Sequence, residues 1–353
     1  MKITDIDKNF IQQTAKDELV WVDVKTFPFK LYGVSYDEAE QAFVRMPVAV
    51  AKQTNEGIEF LNTNTAGGRL AFATDSDTVS FKCVFPNLIG VMSHMTIAAS
   101  NGFSLYVNGK FWGMLSPDWS QFVNEKEIEF SKTFDLTQVV GVKEIKLYFP
   151  LYGGVKELFV AVEAGSEVLP SKEYKHKKPI VYYGSSITQG GCASRPGNDY
   201  EAYIERWLDA DFINLGFSGS AKGEKVVAEY IATIDSSIVV MDYDYNAPDV
   251  AHLQKTHYPF YKVIREALPD TPIVFMTNFN KRKPESAERR EVIRKNYVKT
   301  IEAGDGNTVF INGEQLLGVQ DEDACTVDGT HPNDLGFYRI AQAIYPIIKN
   351  LLK

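Results

Sequence analysis

Ile180-Val181-Tyr182-Tyr183-Gly184-Ser185-Ser186-Ile187-Thr188-Gln189-Gly190-Gly191 reads as a buried strand that stops at a glycine and delivers two serines. Its β-branched and aromatic start favours a pleated, packed segment, whereas the small, polar, glycine-rich end favours an open loop. In an open α/β sheet, ligands bind outside the carboxyl ends of the strands. A serine placed there is a candidate nucleophile if a base and an oxyanion hole lie elsewhere in the chain.

Downstream, apolar runs recur at Phe212–Leu215, Ile238–Met241, Ile273–Met276 and Val309–Ile311. Segments with helical spacing separate or follow them: Val250–Leu268, Pro284–Ala303 and Leu335–Leu352, the last with Ile340, Ala343, Ile344, Ile347 and Leu351 on one stripe. Strands alternating with helices predict a parallel sheet covered on both faces. About five strands fit a three-layer α/β/α, flavodoxin-like arrangement.

Upstream, the first 165 residues read as β. Val79, Phe81, Cys83 and Phe85 alternate with their neighbours, as do Ile145, Leu147 and Phe149, and then Leu158, Val160 and Val162. Asn108-Gly109 between Ser104–Val107 and Lys110–Gly113 is a strong hairpin signal. Many short strands predict an all-β sandwich or jelly roll. A polar stretch ending at Lys178 and holding Pro170 reads as a linker. The expected division is 1–168 for the sandwich, 169–178 for the linker and 179–353 for the α/β domain.

The chain has 353 residues, 44% of them hydrophobic, and a net charge of −9. Its pI near 5.2 argues against a nucleic-acid surface, which needs a basic stripe. The densest basic run, Lys172–Lys178, is broken by Glu173 and Tyr174 and reads as solvated. No apolar run approaches the ~20 residues of a membrane span. The polar start, Met1 to Asp17, shows no secretory signal, so a cytoplasmic location is the expectation, periplasmic or secreted if a leader was removed. Cys83, Cys192 and Cys325 lack the spacing of a disulfide framework or a zinc site. Cys192 and Cys325 flank the candidate site segments, and two buried thiols are the favoured reading in a reducing compartment.

Four loops hold residues suited to acyl transfer. They contain Ser185 and Ser186; Asn214 to Ser220; Asp242 to Asn246; and Asp328-Gly329-Thr330-His331-Pro332. A serine needs a histidine to take its proton and a carboxylate to orient that histidine. Asp328, three residues before His331, can reach the imidazole Nδ1 in a tight loop and leave Nε2 for the serine. The N–H after Ser186, an N–H at Gly219 and the Asn246 amide are candidate oxyanion donors. Gly219, without a Cβ, allows close backbone approach.

The set Gly184–Thr188, Gly219, Asn246 and Asp328–His331 resembles the GDSL-like, or SGNH, hydrolases. That resemblance implies Ser186 as nucleophile, Asp328 and His331 as its partners, and Gly219 and Asn246 as oxyanion donors. The strings YGSSITQGGCASRPG (Tyr183–Gly197), NLGFSG (Asn214–Gly219) and DGTHPNDLGF (Asp328–Phe337) resemble a two-domain subgroup with a β-sandwich ahead of the hydrolase domain. NGFSLYV (Asn101–Val107) is similar to the motif marking that first domain. The chain departs from the wider pattern at Ser185, where an aspartate is frequent, and at Asp244-Tyr245-Asn246-Ala247, where Gly-x-Asn-Asp is frequent.

The expectation is a serine esterase acting on short acyl esters, acetyl first, of a small molecule or carbohydrate. It needs neither cofactor nor metal, binds no nucleic acid or membrane, and is compatible with a homo-oligomer. Two other readings stand beside it: an acyltransferase using the same triad, and a glycan-binding protein with a vestigial hydrolase domain. Arg195 is a candidate substrate contact or a structural hydrogen-bonding group. His94, His176, His252 and His257 read as structural or solvent-facing. Phe103, Tyr106, Phe111, Trp112 and Trp119 read mainly as core, with a sugar-stacking surface as the alternative.

Overall fold

The computed structural model describes residues 19–86, 92–118 and 128–352. The polar start and Trp119 lie outside the described residues. The C-terminal half is built on a five-stranded parallel sheet. Its order is β14 (Ala210–Gly216), β13 (His176–Gly184), β15 (Ile238–Asp242), β16 (Ile273–Met276) and β17 (Thr308–Ile311). This is the 2-1-3-4-5 order, whose reversal at β13 creates a crevice at the sheet's carboxyl edge. Ser186 lies two residues beyond the end of β13.

Alternation along β13 explains the three layers. Ile180 and Tyr182 join one apolar cluster, which holds Ile204 and Leu208 of α4 (Tyr200–Leu208) and Phe337, Ile340, Ile344 and Ile348 of α8 (Asp334–Leu351). Val181 and Tyr183 face the other way, toward α5 (Lys225–Ile231), α6 (Val250–Ala267) and α7 (Ser286–Glu302). A strand buried on both faces must be apolar at every position, as this one is from Ile180 to Tyr183.

The N-terminal half contains two facing antiparallel sheets. One runs β1 (Val22–Asp23), β11 (Glu157–Val162), β6 (Thr78–Phe85), β9 (Ile128–Asp135). The other runs β12 (Val168–Leu169), β5 (Arg69–Thr74), β10 (Lys143–Tyr148), β7 (Phe103–Val107), β8 (Lys110–Leu115), with β2 (Lys30–Tyr32) also on β5. A small hairpin joins β3 (Ser35–Asp37) to β4 (Ala42–Val44). Inward residues of the two large sheets form one core, in which Phe72 of β5 meets Phe81 of β6 edge-on.

The reading of the first half as entirely β misses three short helices: α1 (Val48–Lys52), α2 (Glu56–Leu61) and α3 (Ile97–Asn101). Five or six residues are too few for a legible apolar period, but two of the three carry a local signal. Asn55 and Thr96 accept from the backbone N–H groups of Ile58 and Ala99, as N-caps do. The β13 strand begins at His176, inside the stretch read as a linker, and Tyr174 just before it is buried.

The two halves are tightly joined. Gly67, at φ +77°, brings its backbone so near β14 that a Cβ would lie 2.6 Å from the Cβ of Asn214. Arg69 is fully buried; it donates to the Asp211 carboxylate at 2.6 Å and lies over the Phe212 ring. Among the described residues, no helix is long and apolar enough to cross a membrane.

Candidate active site

The two serines after β13 have different surroundings. Ser185 is fully buried, and its Oγ accepts from the N–H of Ile187 at 3.2 Å. Ser186 is half-buried, and its Oγ lies 2.9 Å from His331 Nε2. The loop then closes on itself, with the N–H of Gly191 donating to the carbonyl of Ser186.

His331 comes from a turn held at several points. Its carbonyl accepts from Val327 N–H, and the N–H of Asn333 donates to Cys325 O. Asn333 also caps α8 by accepting from Gly336 N–H. Across this turn His331 Nδ1 meets Asp328 Oδ2 at 2.7 Å. The other carboxylate oxygen accepts from the N–H groups of Thr330 and His331. Partial burial works to raise the Asp328 carboxyl, but the His331 N–H, the His331 ring and the Thr330 N–H outweigh it and hold it at about 2. An ionised Asp328 keeps the proton on Nδ1 and leaves Nε2 as an acceptor toward Ser186.

Loop 186–199 and the start of α8 are locked together. The Ser194 N–H, the Ser194 hydroxyl and the Asn198 amide all donate to Asp334. Thr96, from the N-terminal half, donates its hydroxyl to the Ser194 carbonyl.

The oxyanion candidates divide. Ile187 N–H, the group after Ser186, is taken by Ser185 Oγ, which corrects the expectation for that donor. The N–H groups of Ser186 and Gly219 have no acceptor among the described residues. Gly219 is exposed at φ +67°, and a Cβ there would meet nothing within 4 Å. Glycine therefore suits this position for its left-handed backbone and not for the close approach expected from its missing Cβ. The Asn246 amide donates to Phe217 O at 2.9 Å, which ties the third loop to the second and leaves its other N–H uncommitted in these contacts.

Other sequence candidates fall in varied places. Arg195 donates to the Tyr106 hydroxyl at 2.8 Å and stacks 3.7 Å from the Phe111 ring centre, bridging its loop to β7 and β8. His252 meets the Lys222 carbonyl and His257 is buried, both as structural groups. His94 departs from expectation: its ring centre lies 5.7 Å from that of His331. The three cysteines are buried and free.

Sequence reasoning assigned no role to Tyr152 or Cys192 beside the nucleophile. Tyr152, from the N-terminal half, is buried with its hydroxyl 3.5 Å from the Ser186 carbonyl. Burial pushes the Cys192 thiol up to about 12, helped by the Asp328 charge, so it stays protonated near the serine. Cys192 lies inside a recognisable loop string; Tyr152 and His94 sit in the other half and carry no local signal.

Fold and site together define a hydrolase with a serine-histidine-aspartate chain at the switch point of an α/β/α sheet. Residues 177–349 match the GDSL-like Lipase/Acylhydrolase family, and residues 19–168 match the N-terminus of Esterase SGNH hydro-type. A crystal structure described as a GDSL-like lipase from Bacteroides ovatus ATCC 8483 is similar at 31% identity and TM-score 0.83, over 95% of this chain and 98% of its own. The chain belongs to the GDSL-like lipase/acylhydrolase family. Its fold is also similar to a salicylyl-acyltransferase from a tetracycline biosynthetic pathway (17% identity, TM-score 0.77, 96% and 100% coverage). An acetyl xylan esterase from the rumen bacterium Butyrivibrio proteoclasticus is similar at 13% identity and TM-score 0.59, over 94% of this chain and 99% of its own. No curated protein matches the chain.

Proposed function

We propose that this protein is a serine esterase that removes short acyl groups, acetyl first, from a carbohydrate. The observation that carries the reading is the continuous chain from Ser186 Oγ through both nitrogens of His331 to Asp328. His331 Nε2 takes the Ser186 proton as Oγ attacks the ester carbonyl. The C=O bond opens to an oxyanion, which the Ser186 and Gly219 N–H groups and the Asn246 amide receive. Collapse breaks the C–O bond to the alcohol, which leaves with the proton from His331. Water, deprotonated by the same nitrogen, then attacks the acyl-enzyme and releases the acid and free Ser186.

The acyl-hydrolase part draws support from the family, and the carbohydrate and acetyl parts from the fold shared with an acetyl xylan esterase. Their test is acetate release from acetylated xylan and acetylated monosaccharides, set against p-nitrophenyl esters of increasing chain length. The reading expects rates to fall as the acyl chain lengthens. Preference for long chains would overturn it. The shared fold with an acyltransferase favours one second reading, in which an alcohol replaces water at the last step. An acceptor alcohol that turns hydrolysis product into a new ester separates the two.

A further inference from the structure

We propose that His94, Cys192 and His331 form a binding site for a thiophilic divalent cation, zinc above all, that shuts the esterase reversibly. Cys192 is buried, His94 and His331 are half-buried, and their ligand atoms all lie within 4.8 Å of one another. The part of the proposal that concerns shutting off activity rests on the reading of His331 as the base; the binding site itself does not.

Ligand chemistry favours zinc. Two imidazoles and one thiolate suit this borderline-soft ion, and three protein ligands with an open fourth position are an ordinary zinc arrangement. Zn–N near 2.0–2.1 Å and Zn–S near 2.3 Å place tetrahedral donors about 3.3–3.6 Å apart, so the widest pair closes by at most ~1.5 Å. His94 is the ligand able to supply that movement. It stands in a turn closed by the bond from Met95 N–H to Met92 O, and its side chain is partly open to solvent.

His331 is already prepared as a ligand. Its Nδ1 is committed to Asp328, so Nε2 is the nitrogen left for an ion. A carboxylate behind a metal-bound histidine is the usual supporting arrangement, since it fixes the ring and strengthens the donor nitrogen. Cys192 is positioned from the other side by a backbone at φ +73°, a region that non-glycine residues rarely occupy. Binding exchanges the thiol proton, which passes to solvent, for an S–Zn bond. The same Nε2 lone pair that would accept the Ser186 proton then points at the metal, so the ion and the serine compete for one nitrogen.

The experiment measures binding and inhibition separately. Zinc is titrated calorimetrically into apo wild type, Ser186→Ala, His94→Ala and Cys192→Ala. Wild type and Ser186→Ala are expected to bind one zinc per chain, and the other two to bind about tenfold or more weakly. Zinc is also expected to stop p-nitrophenyl acetate hydrolysis by wild type, with EDTA restoring it, while His94→Ala hydrolyses the ester and resists zinc. Equal zinc affinity in His94→Ala, Cys192→Ala and wild type, or no stoichiometric binding, overturns the site. Because Ser186→Ala tests binding without turnover, failure of the esterase reading leaves that arm intact. His94→Ala, on a half-exposed turn, keeps the test decisive if Cys192→Ala misfolds.

Discussion

The guanidinium of Arg45, in the N-terminal half, donates to the carbonyl oxygen of Gly216 at 2.5 Å, just before the loop that carries Gly219. The same side chain donates to Leu61 O at 2.7 Å and lies 4.3 Å from the Phe217 ring centre. Burial pulls this guanidinium down to about 9, so it remains charged at neutral pH with carbonyl oxygens as its partners. The N-terminal half thus braces the Gly219 loop from behind.

Arg45→Met keeps the bulk and removes the donors. Each carbonyl left unpaired costs about 1–3 kcal/mol, and a small displacement of a positioning loop can cost up to about 100-fold in rate. The expected outcome is a lower melting temperature together with a lower kcat for p-nitrophenyl acetate and a nearly unchanged KM. Wild-type kcat in a destabilised variant would mean that Arg45 stabilises the fold without shaping the site.

Asp328→Asn tests orientation of the base. Asparagine can still accept the backbone N–H groups, but it favours the wrong imidazole tautomer, and the expected loss in kcat is ~10⁴-fold. Because Asp328 is held at about 2, it stays ionised through mildly acid pH. An acid limb of wild-type kcat/KM in mildly acid solution therefore does not report Asp328. A pH-rate profile checks this. Retention of near-wild-type kcat by Asp328→Asn would remove the carboxylate from the mechanism.

Asn246→Ala is expected to lower kcat by roughly 10²–10³-fold, the usual effect of losing one oxyanion donor. It also breaks the bond to Phe217 O, so the melting temperature is measured alongside. A fall in stability with unchanged kcat would assign Asn246 to loop tethering alone.

His257 gives an acid-sensitivity test away from the site. The ring is buried between Tyr243 and Phe275, Nδ1 faces the Asn296 amide, and Nε2 has no hydrogen-bond partner among the described residues. Burial depresses this imidazole to about 3, whereas an unfolded histidine titrates near ~6.5. The unfolded chain takes up the proton first. Stability present above about pH 6.5 is therefore lost as pH falls toward 3, by up to ~1.4 kcal/mol per unit. His257→Phe should flatten the fall in unfolding free energy between roughly pH 6.5 and 4, read from urea midpoints. Equal slopes in the two proteins would contradict the assignment.

The hydrolase layer was legible because its signals are local. The apolar runs at Ile180–Tyr183 and Ile238–Met241 lie in buried parallel strands, and the Leu335–Leu352 stripe is the buried face of α8. Ser186, His331 and Asp328 were legible because loop chemistry and strand order point to one edge. What stayed hidden depends on packing between distant segments. Arg45, Tyr152 and His94 reach the site only through the docking of the two halves, which no local pattern records. The helix at Tyr200–Leu208 was missed although Asp199 caps it by accepting from Ala202 N–H, because nine residues flanked by loop offer little periodicity.

The central claim is that Ser186 becomes acylated. Wild-type enzyme mixed with p-nitrophenyl acetate, quenched in acid during turnover and digested should yield an acetylated peptide carrying Ser186, preceded by a burst of p-nitrophenol stoichiometric with enzyme when deacylation is the slower step. Ser186→Ala should show neither adduct nor burst and should lose about 10³-fold or more in kcat. An acetyl group found on another residue, or full turnover by Ser186→Ala, would contradict the account.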